Sequence, residues 1–103
     1  MEDFVRNRIT ALRVSKGVSE YKMSYDLGHS RGYINNISSG KSLPSLTELF
    51  AICDYFGITV REFFNTESNN PMLVAKAVNM MNKLSDDDMK LTLAFLSRLN
   101  AEK

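Results

Sequence analysis

What this chain lacks narrows its chemistry first. One cysteine, Cys53, in 103 residues excludes an internal disulfide and offers no clustered metal site. One histidine, His29, leaves no second imidazole to serve a nucleophile, and HExxH, CxxC and glycine-rich phosphate loops are all missing. Enzyme classes are set aside on these grounds, and no cofactor or metal is expected. No run of about eighteen apolar residues occurs, so no membrane-spanning helix is expected. The acidic start MEDF is no secretory signal, which makes the cytoplasm the expected location. An excess of charge of one sign is missing too. The net charge is +1, with eight Lys/Arg against seven Asp/Glu in residues 1–64 and five of each in residues 65–103. Non-specific affinity for nucleic acid comes largely from phosphate neutralisation, so any such binding here must rest on local arrangement and dimerisation.

What is present is helical patterning. The 44% apolar content and the length suit one compact domain with a small appendage. The stretch SEYKMSYDLGHSRGYINNISSGK, Ser19 to Lys41, reads as two short helices with a tight corner. Ser19 is a candidate N-cap, Met23 and Leu27 share a face, and Ser24 is small enough for a close helix crossing. Gly28 supplies the left-handed exit. Ser30 is then expected to cap a second helix with Ile34 and Ile37 inward, leaving Arg31, Gly32, Tyr33, Asn35 and Asn36 on other faces, and Gly40 at its end. In such a helix Arg31 would oppose the dipole, and Gly32 would cost about 1 kcal/mol relative to Ala. A helix of weak formers that offers Arg, Tyr and Asn outward is suited to contact. Arg grips guanine and Asn grips adenine bidentately in a major groove, and helix, glycine corner, helix is the pattern whose second helix enters that groove. The plain alternative is a polar, solvated face.

The remaining segments fit around this pair. Asp3 is expected to cap a first helix with Val5, Ile9 and Leu12 inward, Arg6, Arg8 and Arg13 beside that stripe, and Gly17 at its end. Leu43 is expected in the core. Ser45–Glu48 and Thr59–Glu62 read as capping boxes for a fourth and a fifth helix. The fourth presents Leu46, Leu49, Phe50, Cys53 and Phe56, Gly57 ends it, and Phe63 and Phe64 close the domain. Cys53 is expected to be a buried small hydrophobe. His29 is either a phosphate donor or a functionless turn residue.

Asn65–Asn70 (NTESNN) is the expected linker, followed by Asn70-Pro71 at a helix start and by Ser85 capping a last helix with Asp86, Asp87 and Asp88 in its first turn. The acidic triplet is no metal site, since consecutive helical residues point apart. The last helix carries Met89, Leu91, Leu93, Ala94, Phe95, Leu96 and Leu99, a face wider than one neighbour covers. The two final helices therefore either fold back on the first domain or pair with a second copy.

The pieces RITALRVSKGVS, YDLGHSRGYINNISSGKSLPS and LTELFAICDYFGITVREFF, in register over residues 5–65, resemble the phage-repressor-like (Xre, or lambda-repressor-like) DNA-binding family. The resemblance implies a five-helix lambda-repressor-like helix-turn-helix domain over 1–65; with the two helices read above as a C-terminal two-helix hairpin over 66–103, the expected fold is all-α. The resemblance also implies a sequence-specific regulator, a repressor, on partly palindromic double-stranded DNA, and the wide apolar face of the last helices then makes a homodimer through residues 71–101 the favoured expectation. The DNA-binding residues it implies are Ser30, Arg31, Gly32, Tyr33, Asn35 and Asn36, with Lys41 and Ser42 touching the backbone by the lysine charge and by N–H groups. Two departures stand out. In the family the residue matching Arg13 often pairs with a glutamate on the recognition helix, and here that place is Ser38. A glutamine commonly follows the cap of the second helix and contacts a phosphate, and here Glu20 stands there, either compensating the helix dipole or repelling phosphate. Glu20, the near-zero charge and the apolar hairpin leave a second expectation open: a protein-interaction module, such as an antitoxin or antirepressor, with a protein partner and weak DNA binding.

Overall fold

Seven helices carry the chain in the computed structural model, which describes residues 1–101: α1 (Glu2–Lys16), α2 (Glu20–Asp26), α3 (Tyr33–Ser38), α4 (Leu46–Phe56), α5 (Val60–Phe63), α6 (Pro71–Met81) and α7 (Asp86–Ala101). No strand occurs among the described residues. The fold is all-α, with five short helices around one core followed by the two C-terminal helices.

Most helix starts follow from local chemistry. The Ser19 hydroxyl accepts from the Lys22 N–H at 2.9 Å. Both capping boxes form: the Glu48 carboxylate accepts from the Ser45 N–H and the Ser45 hydroxyl from the Glu48 N–H, with the same exchange between Thr59 and Glu62. Asn70 caps α6 with Pro71 at its first position, and Ser85 accepts from the Asp88 N–H at 3.2 Å. Asp3 does not cap α1. The helix already begins at Glu2, so Asp3 lies inside the first turn, where its carboxylate sits 3.7 Å from Arg6.

The core draws on each of α1 to α5. Ile9 and Leu12 of α1, Met23 of α2, Ile34 and Ile37 of α3, Leu49, Ile52, Cys53 and Phe56 of α4, Ile58, and Phe63 of α5 are all buried. Burying a side chain of this size contributes about 1.5–3 kcal/mol, which lets helices of four to seven residues persist. Val5 and Phe64 pack against this cluster from its edge. The face of α4 is turned from the expected one: Ile52 is inward, whereas Leu46 and Phe50 are exposed. With Leu49, Ile52, Cys53 and Phe56 defining the buried side, the helical rotation carries Phe50 round to solvent. Leu43 is also exposed, because it precedes Pro44 in the connecting loop and sits outside the helix packing.

Asn65–Asn70 is non-helical, as expected, but it is fastened to α1. The Arg8 guanidinium, buried over the Phe4 ring at 5.0 Å, donates to the Ser68 carbonyl at 2.7 Å and to the Asn65 carbonyl at 2.6 Å. The Asn70 amide donates to the Ser15 hydroxyl at 2.9 Å. Arg8 therefore does not ride beside the apolar stripe; it clamps the connection. The start of α6 then joins the core through Pro71 and Ala75, with Met72 packed alongside.

Beyond Ala75 the burial stops. No residue of α7 is buried, and Leu91, Leu93, Phe95, Leu96 and Leu99 are exposed, as are Val78 and Met80 of α6. The radius of gyration of 16.5 Å exceeds the roughly 13 Å of a compact chain this long, because the two last helices extend the molecule to 49 Å.

Candidate functional site

The corner between α2 and α3 is built on Ser24, which is fully buried. Its hydroxyl donates to the Glu20 carbonyl at 2.8 Å and accepts from the Ile34 N–H at 3.1 Å. One small side chain thus satisfies a donor of the first turn of α3 while letting the helices touch. A hydroxyl in mid-helix commonly bonds back four residues, and here the same oxygen also serves the crossing helix. Gly28, at φ 75, turns the chain out of α2, and the His29 N–H returns to the Ser24 carbonyl.

The entry to α3 differs from the expected one. Ser30 does not cap it with its side chain. Its carbonyl accepts from the Tyr33 N–H at 3.1 Å, closing a turn over residues 30–33, and the helix begins at Tyr33 with Gly32 at the cap position. Arg31 and Gly32 therefore lie in this turn and not in the helix. The dipole and glycine costs expected of them do not arise, and α3 is six residues long.

Around that short helix the implied contact residues differ in freedom. Arg31 is exposed, with its guanidinium 5.7 Å from the Tyr21 ring centre. Asn35 and Asn36 are exposed beside the buried Ile34 and Ile37. The Asn36 side chain has no hydrogen-bond partner among the described residues, whereas Asn35 donates to Glu20 Oε1 at 3.1 Å. Tyr33 is half-buried: its ring stacks on His29 at 3.8 Å, and its hydroxyl is shielded near Glu48 without a well-formed hydrogen bond. Burial first, and then the Glu48 carboxylate, push the phenol well above its ordinary value. His29 Nε2 in turn lies 3.9 Å from Glu48. Tyr33 and His29 thus brace the turn against α4.

Lys41 and Ser42 are exposed, but their N–H groups are engaged. Both donate to the Asn36 carbonyl, at 2.9 and 3.1 Å, while the chain reverses through Gly40 at φ 88. The expected approach of these N–H groups to a phosphate is replaced by closure of the α3 C-terminus, leaving the Lys41 ammonium and the Ser42 hydroxyl outward. Arg6 completes the closure, donating through Nε to the Ile37 carbonyl at 3.2 Å and through Nη2 to that of Gly40 at 3.4 Å. A cation over a helix C-terminus also suits its dipole.

Both departures at positions 20 and 38 resolve into one contact. Ser38 Oγ donates to Glu20 Oε2 at 2.5 Å, so the Glu20 carboxylate bridges α2 to α3 through Ser38 and Asn35. The Ser38 hydrogen bond first and then that of Asn35 hold this carboxyl below its ordinary range against the desolvation of partial burial, with a lesser contribution from the nearby Arg13 charge. Arg13 itself donates to the Val18 carbonyl at 2.9 Å. The Glu20 bridge, the Arg6 closure and the Ser24 hydroxyl escape sequence reasoning, since each joins residues at least ten positions apart. The one available signal was the coincidence of an unusual acid at 20 with a missing acid at 38.

Cys53 is buried as expected, and burial raises its thiol. No group of three or more metal-binding side chains, and no helix long and apolar enough to cross a membrane, occurs among the described residues. Compared with known proteins, residues 9–63 match the family model described as helix-turn-helix. No curated protein and no solved structure matches the chain.

Proposed function

This chain belongs to the helix-turn-helix family of DNA-binding regulators, and on that premise we propose that it is a transcriptional repressor acting as a homodimer on a partly palindromic operator. The observation that carries the reading is the α2–turn–α3 unit. Its inward residues are fully used in packing, and Arg31, Asn35 and Asn36 are left exposed on the helix and turn that would face base edges. Arg31 and Asn36 read bases, Asn35 adds a partly restrained amide, and Lys41 and Ser42 position the protein on phosphates. Tyr33, Ser30 and Gly32 shape the turn that carries Arg31.

The unburied apolar side of α6 and α7 supports a two-fold dimer. Two copies would place two α3 helices about one helical turn of DNA apart. The test is a gel shift on the protein's own promoter DNA with Arg31 and Asn36 both replaced by Ala. Loss of sequence-selective shift supports the assigned roles, and unchanged selectivity rejects them.

A protein-interaction role has one specific observation in its favour, the same apolar hairpin. It is separated by mass: a chain that is monomeric alone and captured by a second protein would favour it.

A further inference from the structure

Asn35 and Asn36 are adjacent carboxamides on one helix, yet only Asn35 is held. We propose that Glu20 is a positioning residue that fixes the donor–acceptor order of the Asn35 amide and so sets which base pair Asn35 accepts; this rests on the DNA-binding reading above.

A carboxamide has two N–H donors on one side and an acceptor oxygen on the other, and it reads adenine by accepting from the N6 amino group and donating to N7. Free to rotate by a half turn, it presents its two ends in either order, and its preference between bases is blurred. An ionised carboxylate only accepts. Facing Glu20 Oε1, Asn35 must therefore turn its nitrogen inward, at 3.1 Å. The reversed amide would set two oxygens against each other beside a negative charge. One N–H is thereby engaged, and Oδ1 with the second N–H stays available to a base edge.

The carboxylate is itself immobilised. Its other oxygen accepts from Ser38 Oγ at 2.5 Å, and Ser38 also reaches back to the Asn35 carbonyl at 3.2 Å, so both partners come from α3 one turn apart. The Arg13 charge nearby favours the ionised form. The acid that would repel a phosphate at this position is turned onto the reading helix, with its charge shared between two hydrogen-bond donors and a nearby cation. Glutamine at 20 would keep the size of the side chain but lose the order, since its amide can accept from or donate to Asn35 equally well.

Binding-site selection from random duplex DNA tests this, run in parallel on the wild type, Asn35→Ala, Glu20→Gln and Ser38→Ala, with circular dichroism confirming that each is folded. Asn35→Ala locates the base pair that Asn35 reads. The expected result is that Glu20→Gln reduces the preference at that same pair by about tenfold, the discrimination one bidentate contact supplies. The preferences set by Arg31 and Asn36 should stay as they are, and Ser38→Ala should give a smaller loss at the Asn35 pair. Unchanged preference at that pair in Glu20→Gln overturns the proposal while leaving DNA reading intact. Even loss at every position also overturns it, because it would show a general effect on docking. No enriched sequence with the wild type would overturn the DNA-binding reading itself, and this inference with it.

Discussion

At the scale of single residues, two buried polar side chains do more than the apolar pattern suggests. Ser24 serves two backbone groups from a fully buried position. Ser24→Ala keeps the volume nearly unchanged but leaves the Ile34 N–H without its acceptor, so a loss of about 1–3 kcal/mol is expected by urea unfolding. Arg8 replaces water with two carbonyls and a ring face. Arg8→Met would retain much of the packing and lose both charged hydrogen bonds. About 2–4 kcal/mol should disappear, with faster proteolysis confined to residues 65–70. Glu20 carries a pH signature. Its folded carboxyl lies below the ordinary range, so its contribution is complete above that range and fades as pH falls through the depressed value. The difference in thermal midpoint between wild type and Glu20→Gln should thus be constant from about pH 5 to 8 and close below about pH 4. A difference that grew on acidification would contradict the bridge.

At the scale of elements, legibility tracked how local the cause was. Ser19, the two capping boxes, Asn70-Pro71 and Ser85 act within three residues, and each was readable from spacing and is present in the structure. The start of α3 was not, because a turn closed by the Ser30 carbonyl competes with a side-chain cap that spacing alone suggests. Spacing misplaces the rotation of α4 for a related reason: apolar Leu46 and Phe50 satisfy a helical period without facing the core. In the site, exposure of Arg31, Asn35 and Asn36 agreed with the pattern, whereas the Glu20 bridge joins positions fifteen and eighteen apart, which no periodicity reports. Ser45→Ala removes one capping-box oxygen and should cost about 1 kcal/mol, unfolding α4 from its N-terminus as seen by amide exchange.

At the scale of the whole molecule, the structure divides its apolar surface unevenly. Residues 4–75 supply a closed core, while α7 has no fully buried residue and leaves Leu91, Leu93 and Phe95 in water. A helix of this length gains most of its stability from packing of its apolar face, so in the proposed dimer a second copy covers this face and holds α7. Wild-type protein should sediment as a dimer and show α7 amide protection that rises with concentration. Leu91→Asp with Phe95→Asp should sediment as a monomer, with the five-helix domain still folded. The central claim is more specific than dimerisation: two copies of the α2–α3 unit read a pair of half-sites. Hydroxyl-radical footprinting of the protein's own promoter tests it most directly. The account expects two protected patches related by a dyad, with centres about one helical turn, or 10 base pairs, apart. Uniform weak protection along the fragment, or none at concentrations where the protein is dimeric, would contradict it.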